Sequence, residues 1–338
     1  MRSLANVLLL SVSLIATAQV SPYNHRPAQQ PDSSGHYRLV FSGHFHGSSS
    51  SSSGYPAATL LAGLDLINGL DANALVSTGD LFLNPDRDSA RYRQALFQRL
   101  MPALFNAPGN HDREGHAYSG VKFPIVLTFG PDAVLLLDTE VADSDIEGAQ
   151  LQALEQLATE GRWRRVFIVS HRPVWAEEDP AYGPLFKGNT RSLTGCNYRR
   201  DVLPVLERMI SRTEVFWISG SMAGGAPASV FFQPHLPNLT FIQTAIRDEL
   251  RDAVLVADVS GQGIAWRLVS LTGQAVQPVE SYDSAWWRTA KAQGTQGFNW
   301  RLVPYLARTV ITDHAFWWGA GAMFVLLLLL RALFRRWP

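Results

Sequence analysis

Cysteine is almost missing: Cys196 is the single one in 338 residues. That excludes an intramolecular disulfide and any metal site built from paired thiolates, so packing must hold the core. A catalytic thiol stays open beside the blander reading of a small buried hydrophobe. Surplus charge is missing as well. Lys plus Arg and Asp plus Glu number 29 each, and no basic stripe with interleaved aromatics occurs, which argues against a nucleic-acid partner. No internal repeat is evident. The hydrophobic share, 46%, suffices for one large domain or two small ones with a core.

The two ends carry membrane-related signals. Residues 1–18 run from Arg2 through an apolar stretch, Leu4 to Ile15, to the small-x-small ending Ala16-Thr17-Ala18. That is the pattern of a secretory signal peptide, with an uncleaved N-terminal anchor as the alternative. Residues 19–36, rich in Pro, Gln and Ser, read as a flexible leader. At the far end Ala315 to Leu330 holds no charge and is followed by Arg331, Arg335 and Arg336. About sixteen residues rise roughly 24 Å as a helix, and Arg331 can snorkel to lengthen the span. Residues 315–334 are therefore expected to be a single transmembrane helix in the lipid bilayer. Lys and Arg stay on the cytoplasmic side, so residues 335–338 are expected inside and the main domain on the periplasmic side. Residues 275–314, with Trp286, Trp287 and Trp300, read as a juxtamembrane segment of short helices.

Between the ends, 37–274, strand and helix signals alternate. Strands are expected at Tyr37–Phe41, Ala74–Ser77, Ala103–Asn106, Ala133–Asp138, Val166–Val169 and Val215–Ile218. Helices are expected at Pro56–Asn68, Ser89–Leu100, Glu147–Thr159 and Arg199–Ser211. This is the pattern of βαβ units and an α/β layered domain. From Ser229 onward strands follow without helices (Ser229–Phe232, Leu239–Gln243, Ala253–Asp258, Gly263–Leu268), as antiparallel meanders that could form a second sheet packed on the first.

In α/β sheets ligands collect at the carboxyl ends of strands. Those ends read Ser42-Gly43-His44-Phe45-His46, Thr78-Gly79-Asp80, Gly109-Asn110-His111-Asp112, Ser170-His171-Arg172 and Ser219-Gly220-Ser221-Met222-Ala223-Gly224. Four of the five present imidazole, carboxylate or amide oxygen, donors that suit Mn, Fe or Zn. This order resembles the calcineurin-like metallophosphoesterase superfamily, whose blocks run Asp-x-His, Gly-Asp-x-x-Asp/Asn, Gly-Asn-His-Asp/Glu, a lone His and Gly-His-x-His. The resemblance covers about residues 37 to 270. It implies a four-layer α/β/β/α sandwich in which Asp80 bridges two metals, Asn110 and His171 bind the second and His46 the first. His111 and Asp112 become the candidate catalytic residues, His111 facing the phosphoryl oxygen or leaving group, and a metal-bound hydroxide becomes the nucleophile. Arg113 and Arg172 flank this site and could hold a phosphate by parallel hydrogen bonds.

Departures from the pattern are equally specific. His44 stands where the first Asp is expected, Leu83 where an Asp or Asn is expected with Asn84 one step late, and Ser221 and Ala223 where two histidines are expected. Three outcomes follow: another histidine (His116 or His235) substitutes, one ion is held by His44, His46, Asp80 and His171, or no metal is bound. The expected function is an exported, membrane-anchored hydrolase of a small phosphomonoester or phosphodiester. The alternative is an inactive member acting as a cell-envelope binding or assembly factor. Lesser features have plain readings: Ser48–Ser53 a flap or a solvated loop, Asn238-Leu239-Thr240 a glycosylation pattern, Asp138 a turn or cap residue.

Overall fold

Short apolar runs bounded by Gly, Pro, Asp or Asn become strands, and they build two sheets. The computed structural model describes residues 19–48, 53–186, 195–222, 224–290, 303–312 and 314–334. The expected signal peptide, the tail at 335–338, residues 49–52 of the serine run and Ala223 lie outside these. In the first sheet β1 (Tyr37–Ser42), β2 (Ala74–Ser77) and β3 (Ala103–Asn106) are parallel. The second has the order β4 (Ile125–Phe129), β5 (Asp132–Leu136), β6 (Arg165–Ser170), β7 (Glu214–Ser219), β9 (Leu239–Thr244), β8 (Val230–Leu236). Its middle, β5 to β9, is parallel, and β4 and β8 close the two ends antiparallel.

The late strands do not form a sheet of their own, contrary to the reading from sequence. The β8–β9 hairpin joins the second sheet through β7, and the hairpin β10 (Ala253–Ser260) to β11 (Gly263–Ser270) joins the first through β1. Each hairpin completes a parallel sheet at an edge that would otherwise be unpaired. Strand β4 has no counterpart in that reading; Gly130 at φ 58 turns it back onto β5.

Alternation along the strands decides the layers. Tyr37, Leu39 and Phe41 point between the sheets, where Tyr37 stacks on Phe129 at 5.2 Å and Phe41 on Phe167 at 6.0 Å. Val40, Leu75, Leu104, Val254 and Val256 point the other way, onto Leu60, Leu64 and Ile67 of the short helices α1 (Ala58–Ala62) and α2 (Leu64–Asn68). Helix α3 (Pro85–Tyr92) begins at Asn84, whose side chain accepts from Arg87 N at 3.0 Å, with Pro85 at its first turn. Helices α4 (Gly148–Glu160) and α5 (Leu203–Ile210) bury Leu154, Leu157, Val205, Leu206 and Met209 in the core of the second sheet. The expected α/β/β/α sandwich is the fold.

Residues 19–36 are not a free leader. Ser21, Tyr23 and Ala28 are buried, Ser21 Oγ donates to Leu104 O, Asn24 Nδ2 donates to Pro102 O at 2.8 Å, and Thr128 N donates to Gln19 Oε1 at 3.1 Å. The segment covers β3 and β4, the edge strands of the two sheets. Part of the juxtamembrane segment is docked too. Helix α6 (Ser284–Thr289) is capped by Asp283, and buried Trp287 donates through Nε1 to Val230 O at 3.0 Å. Residues 291–302 lie outside the described ones. After α7 (Val303–Thr312), helix α8 (His314–Phe334) is 21 residues long, apolar and fully exposed, compatible with a single-pass membrane anchor.

Candidate metal centre

The loops after β1, β2, β6, β7 and β9 converge because their backbones are tied together. His44 N donates to Gly79 O at 2.9 Å, Gly220 N to His171 O at 2.9 Å, and Thr78 Oγ1 to Thr244 O at 2.9 Å. His44, Asp80 and Ser221 sit at φ 55, 57 and 52, a region that costs non-glycine residues about 1–3 kcal/mol each and that concentrates at functional sites. Close approach is the reason for glycine at two positions. A Cβ on Gly109 would stand 2.7 Å from Asp80 N, and one on Gly79 2.8 Å from His171 Cβ.

Asp80 is the hub. Its Oδ1 accepts from His111 N at 3.2 Å, while its Oδ2 lies 3.7 Å from His44 Nε2 and 3.6 Å from each of His46 Nε2 and His171 Nε2. All four side chains are buried, and none of the three Nε2 atoms has a hydrogen-bond partner. Buried imidazole nitrogens without partners are costly unless something else is bound. An ion about 2.1 Å from each donor keeps neighbouring donors roughly 3.0–3.4 Å apart. The observed Asp80–imidazole spacing is slightly wider, and donor groups that share Asp80 fit a divalent cation. His171 is also in the ligating tautomer: its Nδ1 donates to Thr78 O at 2.9 Å, leaving the Nε2 lone pair toward Asp80. Burial alone would raise the Asp80 carboxyl, but the imidazoles of His171, His46 and His44 outweigh it and hold it well below the usual carboxylate range. Burial pushes the His44 imidazole well below its ordinary value, against the pull of Asp80.

Donor atoms form two clusters that share Asp80: His44 with His171, and His46 with His111. The resemblance had given His46 to one metal and Asn110 with His171 to the other, and given His111 no ligand role. His111 is less buried than the others, its ring 5.1 Å from that of His46. Asn110 is half-buried immediately before the single helical turn His111–Arg113.

Other expected site residues have different work. Asp112 accepts from Asn106 Nδ2 and Gly109 N at 2.9 Å and from Phe82 N at 3.1 Å, so its carboxylate braces the turn instead of facing a reaction. Arg172 is not available to a phosphate. Glu140 takes it bidentately at 2.8 and 2.7 Å, and Asp143 takes NH1 at 2.6 Å. Arg113 pairs with Asp138 at 3.0 Å and lines a cavity of about 210 Å³ with Tyr23, Phe82 and Tyr118. Asn84 is the helix cap described above. Neither substitute histidine joins the centre: His116 is exposed on Asp86, and His235 bonds Tyr182 Oη at 2.7 Å. Cys196 is half-buried, its Sγ donating to Val174 O, and burial pushes its thiol up to about 12, which removes it as a nucleophile.

One site residue has no trace in the motif blocks. Arg247, three residues past β9, is half-buried and donates from NH1 to His44 Nδ1 at 2.6 Å. Burial lowers its guanidinium from the ordinary value. The signal that points to it is its place just past one more strand end, that of β9 in the second sheet.

No protein-family model matches the chain, and no curated protein does. The crystal structure of a dimetal phosphatase from Danio rerio aligns with 70% of this chain and 99% of its own, at 12% identity and a TM-score of 0.45. The fold and the centre rest on the strand order and distances given above.

Proposed function

We propose that this chain is an exported, membrane-anchored metal-dependent hydrolase of phosphomonoesters or phosphodiesters. The observation that carries this reading is Asp80 Oδ2 within 3.6–3.7 Å of three buried Nε2 atoms that have no other partner. Asp80, His46 and His111 would hold a divalent ion, Mn, Fe or Zn, with Asn110 alongside and His44 and His171 in the other cluster on the shared carboxylate. Such an ion supplies Lewis acidity at the phosphoryl oxygens and a water of lowered pKa.

The chain's own residues set the conditions for this. Thr78 O fixes the ring and tautomer of His171, and His111 N orients the Asp80 carboxylate. The left-handed positions of His44 and Asp80 aim both buried side chains into one space. The His111 side chain, 23% exposed and with Nδ1 3.4 Å from Glu114 Oε1, lies at the open side of the centre. Helix α8 would keep this centre at a membrane surface, with Arg331 toward the cytoplasm.

The test is metal analysis of the full chain purified in detergent, with hydrolysis of bis(p-nitrophenyl) phosphate assayed in Mn, Fe and Zn. Stoichiometric metal and turnover, both lost in Asp80→Asn, are expected. A protein that takes up none of these ions and hydrolyses nothing is no enzyme of this kind, and the binding or assembly role would stand in its place.

A further inference from the structure

Arg247 and His44 are 203 residues apart in sequence and 2.6 Å apart in space, from NH1 to Nδ1. A guanidinium has N–H donors and no acceptor, so Nδ1 of His44 must be the lone-pair nitrogen. The proton of the neutral ring is then on Nε2, the atom that faces Asp80 Oδ2 at 3.7 Å and has no hydrogen-bond partner. His171 is the opposite case, because Thr78 O accepts from its Nδ1 and leaves a lone pair on Nε2. Two buried imidazoles beside one carboxylate thus carry opposite tautomers. A cation on His44 Nε2 would require the ring to lose its second proton or Arg247 to withdraw.

The rest of Arg247 points to what His44 does instead. Its Nε and NH2 make no hydrogen bond among the described residues, and they lie 3.9 and 3.5 Å from where a Cβ on Gly224 would stand. Gly224 closes the Gly220–Gly224 loop, where Ser221 and Ala223 replace the imidazoles of the resembled pattern. A covalently fixed cation therefore stands against the loop that lacks metal ligands.

We propose that His44 and Arg247 form an anion-binding pair: His44 Nε2–H and the free edge of the Arg247 guanidinium bind a phosphoryl oxygen where a second metal ion would otherwise act. This rests on the hydrolase reading only for the identity of the anion. The ligand class is a phosphate or phosphate ester, matched in charge and in parallel N–H donors by the guanidinium. The single ion then belongs to Asp80, His46 and His111, and His44 is a binding residue and not a ligand.

The experiment is calorimetric titration of the full chain in detergent with Zn and, separately, with inorganic phosphate. His44→Ala and Arg247→Met should keep one ion per chain with affinity near that of the wild type, and should weaken phosphate about ten- to hundredfold, the value of a charge-assisted hydrogen bond. His46→Ala should lose the ion. His44→Gln, whose amide N–H can stand in for Nε2–H, should restore part of the phosphate affinity, and it replaces His44→Ala as the test variant if the alanine protein does not fold. Loss of the ion in His44→Ala or His44→Gln equal to that in His46→Ala overturns the proposal, as does phosphate binding that neither variant changes or that the wild type lacks. A wild type that binds no Zn refutes the hydrolase reading, while phosphate binding lost in His44→Ala and Arg247→Met still upholds the pair.

Discussion

Replacing Gly109 by Ala tests whether the Gly-Asn-His-Asp turn is packed on Asp80. The added Cβ would stand 2.7 Å from Asp80 N and 2.8 Å from Asp80 Cγ, with Oδ1 closer still. Carbon reaches ordinary contact at about 3.5 Å, so the neighbour must retreat by roughly 0.8 Å. The nearest backbone atom belongs to a residue already at φ 57 and cannot give. The side chain must leave instead, which breaks its bond from His111 N and the hub of three imidazoles. Gly109 is outside the left-handed region, so the cost is steric and not conformational. Overpacking of this kind costs about 1–3 kcal/mol. At roughly 2–4 °C per kcal/mol the melting temperature should fall by about 2–12 °C. Gly120→Ala is the control, since its Cβ would meet nothing within 4 Å and the substitution stiffens the unfolded chain. Scanning calorimetry of both variants in detergent, with metal content measured beside it, decides. A Gly109→Ala protein that melts like Gly120→Ala and retains its metal would refute the packing argument.

Arg172→Met should cost about 3–5 kcal/mol in urea denaturation, because it strands the buried Glu140 carboxylate. It should leave metal content unchanged; a selective loss of phosphate affinity at full stability would return Arg172 to the substrate. Cys196, with its thiol pushed up to about 12 by burial, should alkylate with iodoacetamide far more slowly in the folded than in the unfolded chain at pH 8. The sign follows for stability: the unfolded thiol ionises near 8.5 while the folded one keeps its proton, so the contribution is whole below about 8.5 and declines above it. Rapid labelling of folded protein at neutral pH contradicts this. Deleting residues 314–338 should move the chain from the membrane to the soluble fraction, and protease added to spheroplasts expressing the intact chain should digest the main domain. Recovery of the intact chain in the soluble fraction, or complete protection from protease, rules out the anchor or its orientation.

Local order was legible where the chemistry is local. Apolar runs closed by Gly, Asp or Asn marked β1, β2, β3, β5, β6 and β7, because a buried strand must end where its backbone can turn. The same reading put His44, His46, Asp80, His111 and His171 at strand ends, and the fold brings their side chains to one place. Strand β4 escaped because a five-residue apolar run between turns is ambiguous, and the leader was misread because Pro and Gln composition says nothing of the strand edges it covers.

The sequence by itself determined the layered α/β character, the strand ends that carry imidazole and carboxylate, and the apolar helix at the C-terminus. These depend on periodicity and turn chemistry within a few residues. Only the tertiary structure decided which donors share Asp80, that Arg172 belongs to Glu140 and Asp143, that Asp112 accepts from Phe82 N, and that Arg247 sets the proton of His44. Hydrogen-bond partners tens to hundreds of residues apart are chosen by strand register and loop packing, and no local pattern of residues encodes them.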